Sequence, residues 1–386
     1  MDKNYRNLFP MLKKITYLDN AALMQKPSSV IKAGVEFYEN FSISNRTIDS
    51  RLGLRIAKKI NDVRQKIADL VDSSSDEVIF NSGTTQALNN FSQMIEPFIE
   101  ENDEIIISYY NHSSNIIPWI EIAKKKKAKI IYSETIIEDI NEKTKIICYS
   151  QVTNNFNKKI DLKFLYKKAK QFNAILVNDA AQAISSEKVS LKLCDVIAFS
   201  ANKMYGPTGL GFLIIKKNLL KKLKPNIFGG GSVEKIVDLN NNLWNKKNSI
   251  EQYEPGTLNL AAIWQFEYSL DLLKEITLKK IKEKATKVAE YLYDKLLKID
   301  DLIIHSNRGD LITLFTMKNS SAQDIASYLG HKDIYVRSGT FCSKLIPFIK
   351  NEQNYVRVSI AFYNNKKDID TLIKALKEGG NFFEFL

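Results

Sequence analysis

The chain has 386 residues, of which 44% are hydrophobic and 26% charged, with a net charge of +12. That length predicts two domains, or one large domain and a smaller one, of an ordinary soluble globular protein. The basic excess is read as lysines on solvated faces. Its one dense run, Lys124 to Lys127, is not interleaved with aromatics, so no direct nucleic-acid binding is expected. Three cysteines argue against a disulfide framework and for a reducing compartment. No apolar leader at Met1–Tyr5 and no run of about 18 apolar residues predict a cytoplasmic protein without a membrane span.

Residues 1–15 read as an arm or first helix. Tyr17–Leu18 reads as a short strand ending in the polar turn Asp19–Ala22. Ser28 to Ser42 predicts an amphipathic helix with Val30, Val35, Phe37 and Tyr38 at apolar positions, and Ser42 to Arg51 an irregular stretch. Ile56, Ile60, Val63, Ile67 and Leu70, at spacings of three and four, predict a long helix ending near Val71. Strands and helices then alternate. Val78–Phe80, Ile105–Ile107, Ile130–Tyr132, Ile146–Tyr149, Ile175–Asp179 and Val196–Phe199 read as strands. Helices are expected from Ser82 to Phe91, around Trp119, and from Leu162 to Phe172. Continuous apolar strands separated by helices imply an α/β fold with a mostly parallel sheet covered on both faces. Near residue 260 the pattern changes. A long lysine-rich helix is expected from Leu273 to Ile299. Strands follow at Leu302–Ile304, Leu311–Met317, Ile334–Val336 and Val356–Phe362, with helices from Ser321 and Lys367. The expected domains are therefore 16–260, large, and 261–386, small and α+β.

In an open parallel sheet, ligands sit at the carboxyl ends of the strands. Four groups fall there. Gly83-Thr84-Thr85 opens a helix after a strand, and its hydroxyls and free amides suit a phosphate. His112, one of three histidines, follows the strand ending at Ile107. Asp179 ends its own strand, where a carboxylate suits a pyridinium N–H. Lys203 follows the next strand, in Ser200-Ala201-Asn202-Lys203-Met204-Tyr205-Gly206. A lysine desolvated there has a lowered pKa and forms a Schiff base with an aldehyde.

In that order, phosphate cradle, flat-ring neighbour, carboxylate and Schiff-base lysine describe a site for pyridoxal 5'-phosphate. The chain resembles, nearly end to end, the fold-type I, class V aminotransferase superfamily, and specifically the cysteine desulfurases of the SufS/CsdA (NifS-like) type. The stretches that carry the resemblance include Tyr17 to Ala22, Ser82 to Thr85, His112 to Trp119, Asp179 to Ala183, Ser200 to Gly211, Gly229 to Ser232, Glu254 to Thr257, Val336 to Cys342 and Arg357 to Asn364. The resemblance implies a seven-stranded sheet between helices, a small C-terminal domain carrying a catalytic cysteine loop, and an N-terminal arm packed on that domain. It implies that Lys203 forms the Schiff base, His112 stacks on the cofactor ring and relays protons, and Asp179 pairs with the ring nitrogen. Gln182 is implied to contact the phenolic oxygen. Thr84, Thr85, Ser200 and Asn202 are implied to bind the phosphate, with Thr257 from the second subunit of a homodimer. Asn154 is implied to lie near cofactor and substrate, Arg357 to bind the substrate carboxylate, and Cys342 to act as nucleophile.

The residues themselves also favour Cys342. Cys148 and Cys194 sit in or beside apolar strands as small buried hydrophobes. Cys342 lies in a polar loop near Arg337 and Lys344, cations that favour a thiolate. The implied activity is conversion of L-cysteine to L-alanine with transfer of sulfur to Cys342 and on to an acceptor protein. Iron–sulfur cluster assembly and tRNA thiolation both need such a donor. Another class V activity (selenocysteine lyase, aminotransferase or β-eliminating lyase) is the alternative. The chain departs from these relatives at Asn202, Thr340-Phe341 and Asn45, where they commonly carry histidine.

Overall fold

The computed structural model describes residues 5–350 and 354–379. Residues 1–4 of the expected arm, and the last residues of the expected small domain, lie outside the described residues. The arm's described part is two short 3-10 turns, Tyr5–Leu8 and Pro10–Lys13, followed by β1 (Thr16–Tyr17). Helices α1 (Ser28–Asn40) and α2 (Arg51–Leu70) come next. A seven-stranded sheet then forms from β2 (Val78–Asn81), β3 (Glu104–Ser108), β4 (Lys129–Ser133), β5 (Thr144–Ser150), β6 (Ile175–Asp179), β7 (Val196–Ser200) and β8 (Gly211–Ile215). Its order is β2-β8-β7-β6-β5-β3-β4. The connecting helices are α3 (Thr84–Ile95), α4 (Ile117–Lys126), α5 (Ile136–Asp139) and α6 (Leu162–Gln171).

Neighbours from β7 to β4 pair in parallel, while β8 runs antiparallel to both β7 and β2. The reversal has a local cause. Ala201 to Leu210, which joins β7 to β8, is shorter than the dozen or so residues a parallel crossover needs. Alternate residues of each strand enter opposite cores, as the two-residue period requires. Ile106, Ile147, Leu176, Ile197 and Phe212 pack with Ile56, Val63 and Ile67 of α2 and Leu165 of α6. Ile105, Ile107, Ile146, Val177 and Leu213 pack with Leu88 and Phe91 of α3 and Trp119 of α4.

After the short helix α7 (Lys217–Leu220) come the hairpin strands β9 (Val233–Asp238) and β10 (Leu243–Lys246), which the sequence reading did not anticipate. The long helix expected from Leu273 to Ile299 is two helices, α8 (Leu260–Ile276) and α9 (Leu278–Leu296). They are separated at Thr277, whose φ is +72°. The remainder holds β11 (Leu302–Ile304), β12 (Ile312–Met317), α10 (Ala322–His331), β13 (Ile334–Tyr335), β14 (Arg337–Gly339), β15 (Tyr355–Ser359) and α11 (Lys366–Glu378). An antiparallel sheet of order β11-β12-β15-β14 packs on α9, α10 and α11. In α1 the buried face is Val30, Ala33, Gly34 and Phe37, packed against α8. The expected apolar positions Val35 and Tyr38 are exposed instead.

Two long-range ties matter for the site. β1 pairs in parallel with β13, and Asp19 bridges Ser359 at the end of β15, so the first strand is bound to the last part of the chain. Buried Arg64 of α2 makes a bidentate pair with Glu254, at 2.7 and 2.8 Å. Glu254 also accepts the backbone N–H of Phe80 at 2.8 Å.

Gly211 opens β8 against Asn81 on one side and Ser200 on the other. A Cβ there would lie 2.4 Å from the Cα of Gly83, against backbone that cannot yield as a side chain can. Gly211→Ala should therefore cost about 1–3 kcal/mol of stability. A urea midpoint equal to that of the parent would rule this out.

Candidate active site

Strand ends β5, β6 and β7 and the turns beyond β2 and β3 enclose a cavity of about 190 Å³. It is lined by Thr84, Thr85, His112, Ser114, Asn154, Asp179, Gln182, Ser200, Asn202 and Lys203, among others. Eleven of the twelve expected site residues thus meet at the turn of Lys203, either in this lining or, like Arg357 and Cys342, close enough to act on the charge of Lys203. Asn154 and Asn202 are both in the lining. Thr257 does not line this cavity. It lies exposed beside Gly256, whose carbonyl accepts from Arg46.

At one end, Ser200 Oγ lies 2.7 Å from both the backbone nitrogen and the hydroxyl of Thr84, and the Thr85 hydroxyl lies 2.7 Å from that of Ser114. These hydroxyls gather at the first turn of α3, where backbone N–H groups have no intrahelical acceptor. Gly83 keeps the turn tight, because a Cβ would meet Ser200 Oγ at 3.3 Å. His112 Nδ1 accepts from the backbone of Ser114 at 3.1 Å, which leaves its ring proton on Nε2. Burial, with Lys203 and Arg357 nearby, pushes its pKa down to about 4, so the ring is neutral near pH 7.

Asp179 is buried, with one backbone donor, Ala181, at 3.1 Å. Burial pushes its carboxyl up to about 6, against the pull of Ala181 and Lys203. Lys203 is pushed down to about 8 by burial and then by Arg357, with Asp179 and Asp19 opposing. Its ammonium donates to the carbonyl of Ala21 at 2.7 Å, and Gln182 Nε2 donates to the same oxygen at 2.8 Å. Arg357, 2% exposed, donates to Asp19 at 2.7 Å and to the carbonyl of Asn154 at 3.0 Å, while its Nε has no partner among the described residues.

Cys342 is exposed, whereas Cys148 and Cys194 are buried and burial pushes both thiols up. Phe341 and Cys342 adopt φ of +56° and +61° in succession. Left-handed backbone costs a non-glycine residue about 1–2 kcal/mol, so the loop must be held. Asn154 Nδ2 donates to the carbonyl of Phe341 at 2.6 Å. Ser113 donates to that of Cys342 from its backbone at 2.8 Å and from its hydroxyl at 2.6 Å. Asn155 and Asn154 hold the Ser343 hydroxyl at 2.7 and 2.8 Å. The amide of Asn154 is therefore spent on the cysteine loop. Lys344 contacts Thr340 at 3.5 Å.

Sequence reasoning gave no role to Asp19, Ala21, Ser113 or Asn155. Asp19 had a usable signal, a carboxylate in the polar turn after a strand. The others act through backbone atoms or through partners far away in the chain, and carry none.

The donor set fits pyridoxal 5'-phosphate. Hydroxyls at a helix start suit its phosphate, a carboxylate with one donor suits its ring nitrogen, and a partly neutral lysine suits its aldehyde.

Because the folded-state carboxyl of Asp179 is raised from 3.8 to about 6, ionising it disfavours the fold. In the cofactor-free protein this cost appears as pH rises from about 4 to about 6 and persists above. Asp179→Asn keeps the acceptor for Ala181 without the charge. It should stabilise the cofactor-free protein at pH 7 by on the order of 2 kcal/mol, with little gain at pH 4. Equal effects at both pH values in urea unfolding would contradict this.

The aminotransferase class-V family model matches residues 16–372. A probable cysteine desulfurase of Ureaplasma parvum serovar 3 is 32% identical over 97% of both chains. One of Borreliella burgdorferi is 34% identical over 97% of this chain and 96% of its own. The crystal structure of the cysteine desulfurase CsdA from Escherichia coli, 25% identical, superposes with a TM-score of 0.90 over 99% of this chain and 98% of that one. The chain belongs to the class V aminotransferase family, in its cysteine desulfurase branch.

Proposed function

We propose that the protein is a cysteine desulfurase, which converts L-cysteine to L-alanine and retains the sulfur as a persulfide on Cys342. The observation that carries this reading is the single exposed thiol, held on a strained loop beside the Lys203 cavity. Bound pyridoxal 5'-phosphate supplies an electrophilic carbon for the substrate amine and a ring that accepts the electron pair left at Cα.

The chain's own residues supply the rest. Thr84, Thr85, Ser200 and Asn202 hold the phosphate with the first turn of α3. Asp179, ionised at pH 7, holds the protonated ring nitrogen, and Gln182 faces the phenolic oxygen. Neutral His112 packs on the ring without adding a competing charge. Arg357 binds the substrate carboxylate, with Asn154 beside it. Lys203 holds the cofactor and then takes the Cα proton on its amine. The Cys342 thiolate attacks the substrate sulfur. An S–S bond forms as the Cβ–S bond breaks, with the bonding pair left on carbon; the three-carbon remainder takes up one proton at Cβ, regains one at Cα from Lys203, and leaves as alanine. No external oxidant or reductant is needed.

In this reading Thr257 reaches the phosphate of a second copy in a homodimer. The protein works in the cytoplasm and passes its persulfide to a thiol of an acceptor protein, for iron–sulfur cluster assembly or tRNA thiolation. Among the described residues no helix is long and apolar enough to cross a membrane.

Two measurements test this. Cys342→Ala should lower alanine and persulfide formation from L-cysteine by at least about a hundredfold while keeping the absorbance of bound cofactor. Sulfide release at the parental rate would sink the assignment. The neutral amine of Lys203 is the reactive form, and its pKa is about 8. Uptake of pyridoxal 5'-phosphate by the cofactor-free protein should therefore accelerate as pH rises through about 8. Lys203→Ala should take up none covalently, and a flat pH profile for the parent would count against the role of Lys203.

A further inference from the structure

Phe341 stands where two otherwise separate features meet. Its ring lies over the Arg357 guanidinium, 4.7 Å from the guanidinium carbon to the ring centroid. The ring is only 6% exposed and packs with Tyr110, Leu314, Ile346 and Tyr355. Below it, Arg357 is buried, and its Nε has no partner among the described residues. A buried N–H without an acceptor is costly, and a planar carboxylate is the anion whose geometry matches a guanidinium edge. One face of this cation is closed by an aromatic ring, and one edge donor is free for an anion.

We propose that Phe341 is a specificity-determining lid on Arg357, which makes the site select amino acids with a free α-carboxylate and links occupancy of Arg357 to the seat of Cys342. The proposal rests on the reading of Arg357 as the carboxylate-binding residue. The ring keeps water from one face of the guanidinium, so the attraction of that cation for a carboxylate is less screened. The link to Cys342 is covalent and through Asn154. Phe341 immediately precedes Cys342, and Asn154 donates to the Phe341 carbonyl while its own carbonyl accepts from Arg357. A shift of the cysteine loop therefore uncovers Arg357, and a settled ion pair at Arg357 favours the loop in place.

The test uses the cofactor-loaded protein, followed by its absorbance and titrated with L-alanine and with L-alaninamide, which lacks the carboxylate. The parent should bind L-alanine more tightly than the amide. Phe341→Ala should weaken L-alanine about tenfold while changing the amide less than about twofold. Phe341→Tyr, which keeps the ring, should retain the parental preference. Phe341→Leu keeps the apolar packing without the ring, should lose about three- to fivefold, and serves if the alanine variant fails to fold. An unchanged preference in both ringless variants, or equal losses for the two ligands, overturns the lid while leaving Arg357 as the carboxylate site. A parent that does not distinguish L-alanine from its amide overturns the reading of Arg357 and the lid with it.

Discussion

The buried ion pair between Asp19 and Arg357 fastens the beginning of the chain to one of its last strands, and the site is arranged around it. Either charge alone in that position would be a heavy liability, since removing one partner of a buried pair typically costs about 3–5 kcal/mol. The residues after Asp19 are held by the same region. Asn20 donates to the carbonyl of Ser359 at 2.5 Å and to Asn364 at 3.0 Å, and Ala21 N–H donates to the Ser359 hydroxyl at 2.9 Å. The carbonyl of Ala21 is thereby delivered to Lys203 and Gln182. A contact that joins the segment after β1 to β15 and the turn beyond it also sets the acceptor of the Lys203 ammonium.

Desolvation acts on every titratable group of the cavity and drives each toward neutrality. It lowers Lys203 and His112 and raises Asp179. Such a space favours a ligand that brings its own complementary charges, a cationic ring nitrogen for Asp179 and an anion for the hydroxyl cluster. Asn202, in the cavity lining, supplies an amide and no cation. In the proposed function, the phosphate end therefore rests on hydroxyls, an amide and a helix start rather than on an ionised side chain.

The large sheet was legible because its strands are buried on both faces. Ile105–Ile107, Ile146–Tyr149 and Val196–Phe199 stand out as unbroken apolar runs, and the polar residues at their ends mark the cavity. His112, Asp179 and Lys203 could be found for that reason. The break at Thr277 could not, because neither glycine nor proline marks it. The β9–β10 hairpin faces no core, so Ile236, Val237 and Trp244, all exposed, give no burial pattern to read. On α1, Val35 and Tyr38 satisfy helical spacing yet lie outside the face that meets α8. The hold on the cysteine loop was invisible for another reason. Ser113 and Asn154 reach residues roughly two hundred positions away, and propensity carries no information about such pairs.

The Arg64–Glu254 pair has a mechanical consequence. Glu254 is bonded to a helix through two guanidinium nitrogens and to the sheet through Phe80 N–H, and the exposed Gly256 and Thr257 begin only two residues later. The turn is thus a short cantilever on a fixed base. A surface that meets it finds an ordered shape, and the ordering entropy that a loose loop would surrender on association has already been spent in folding.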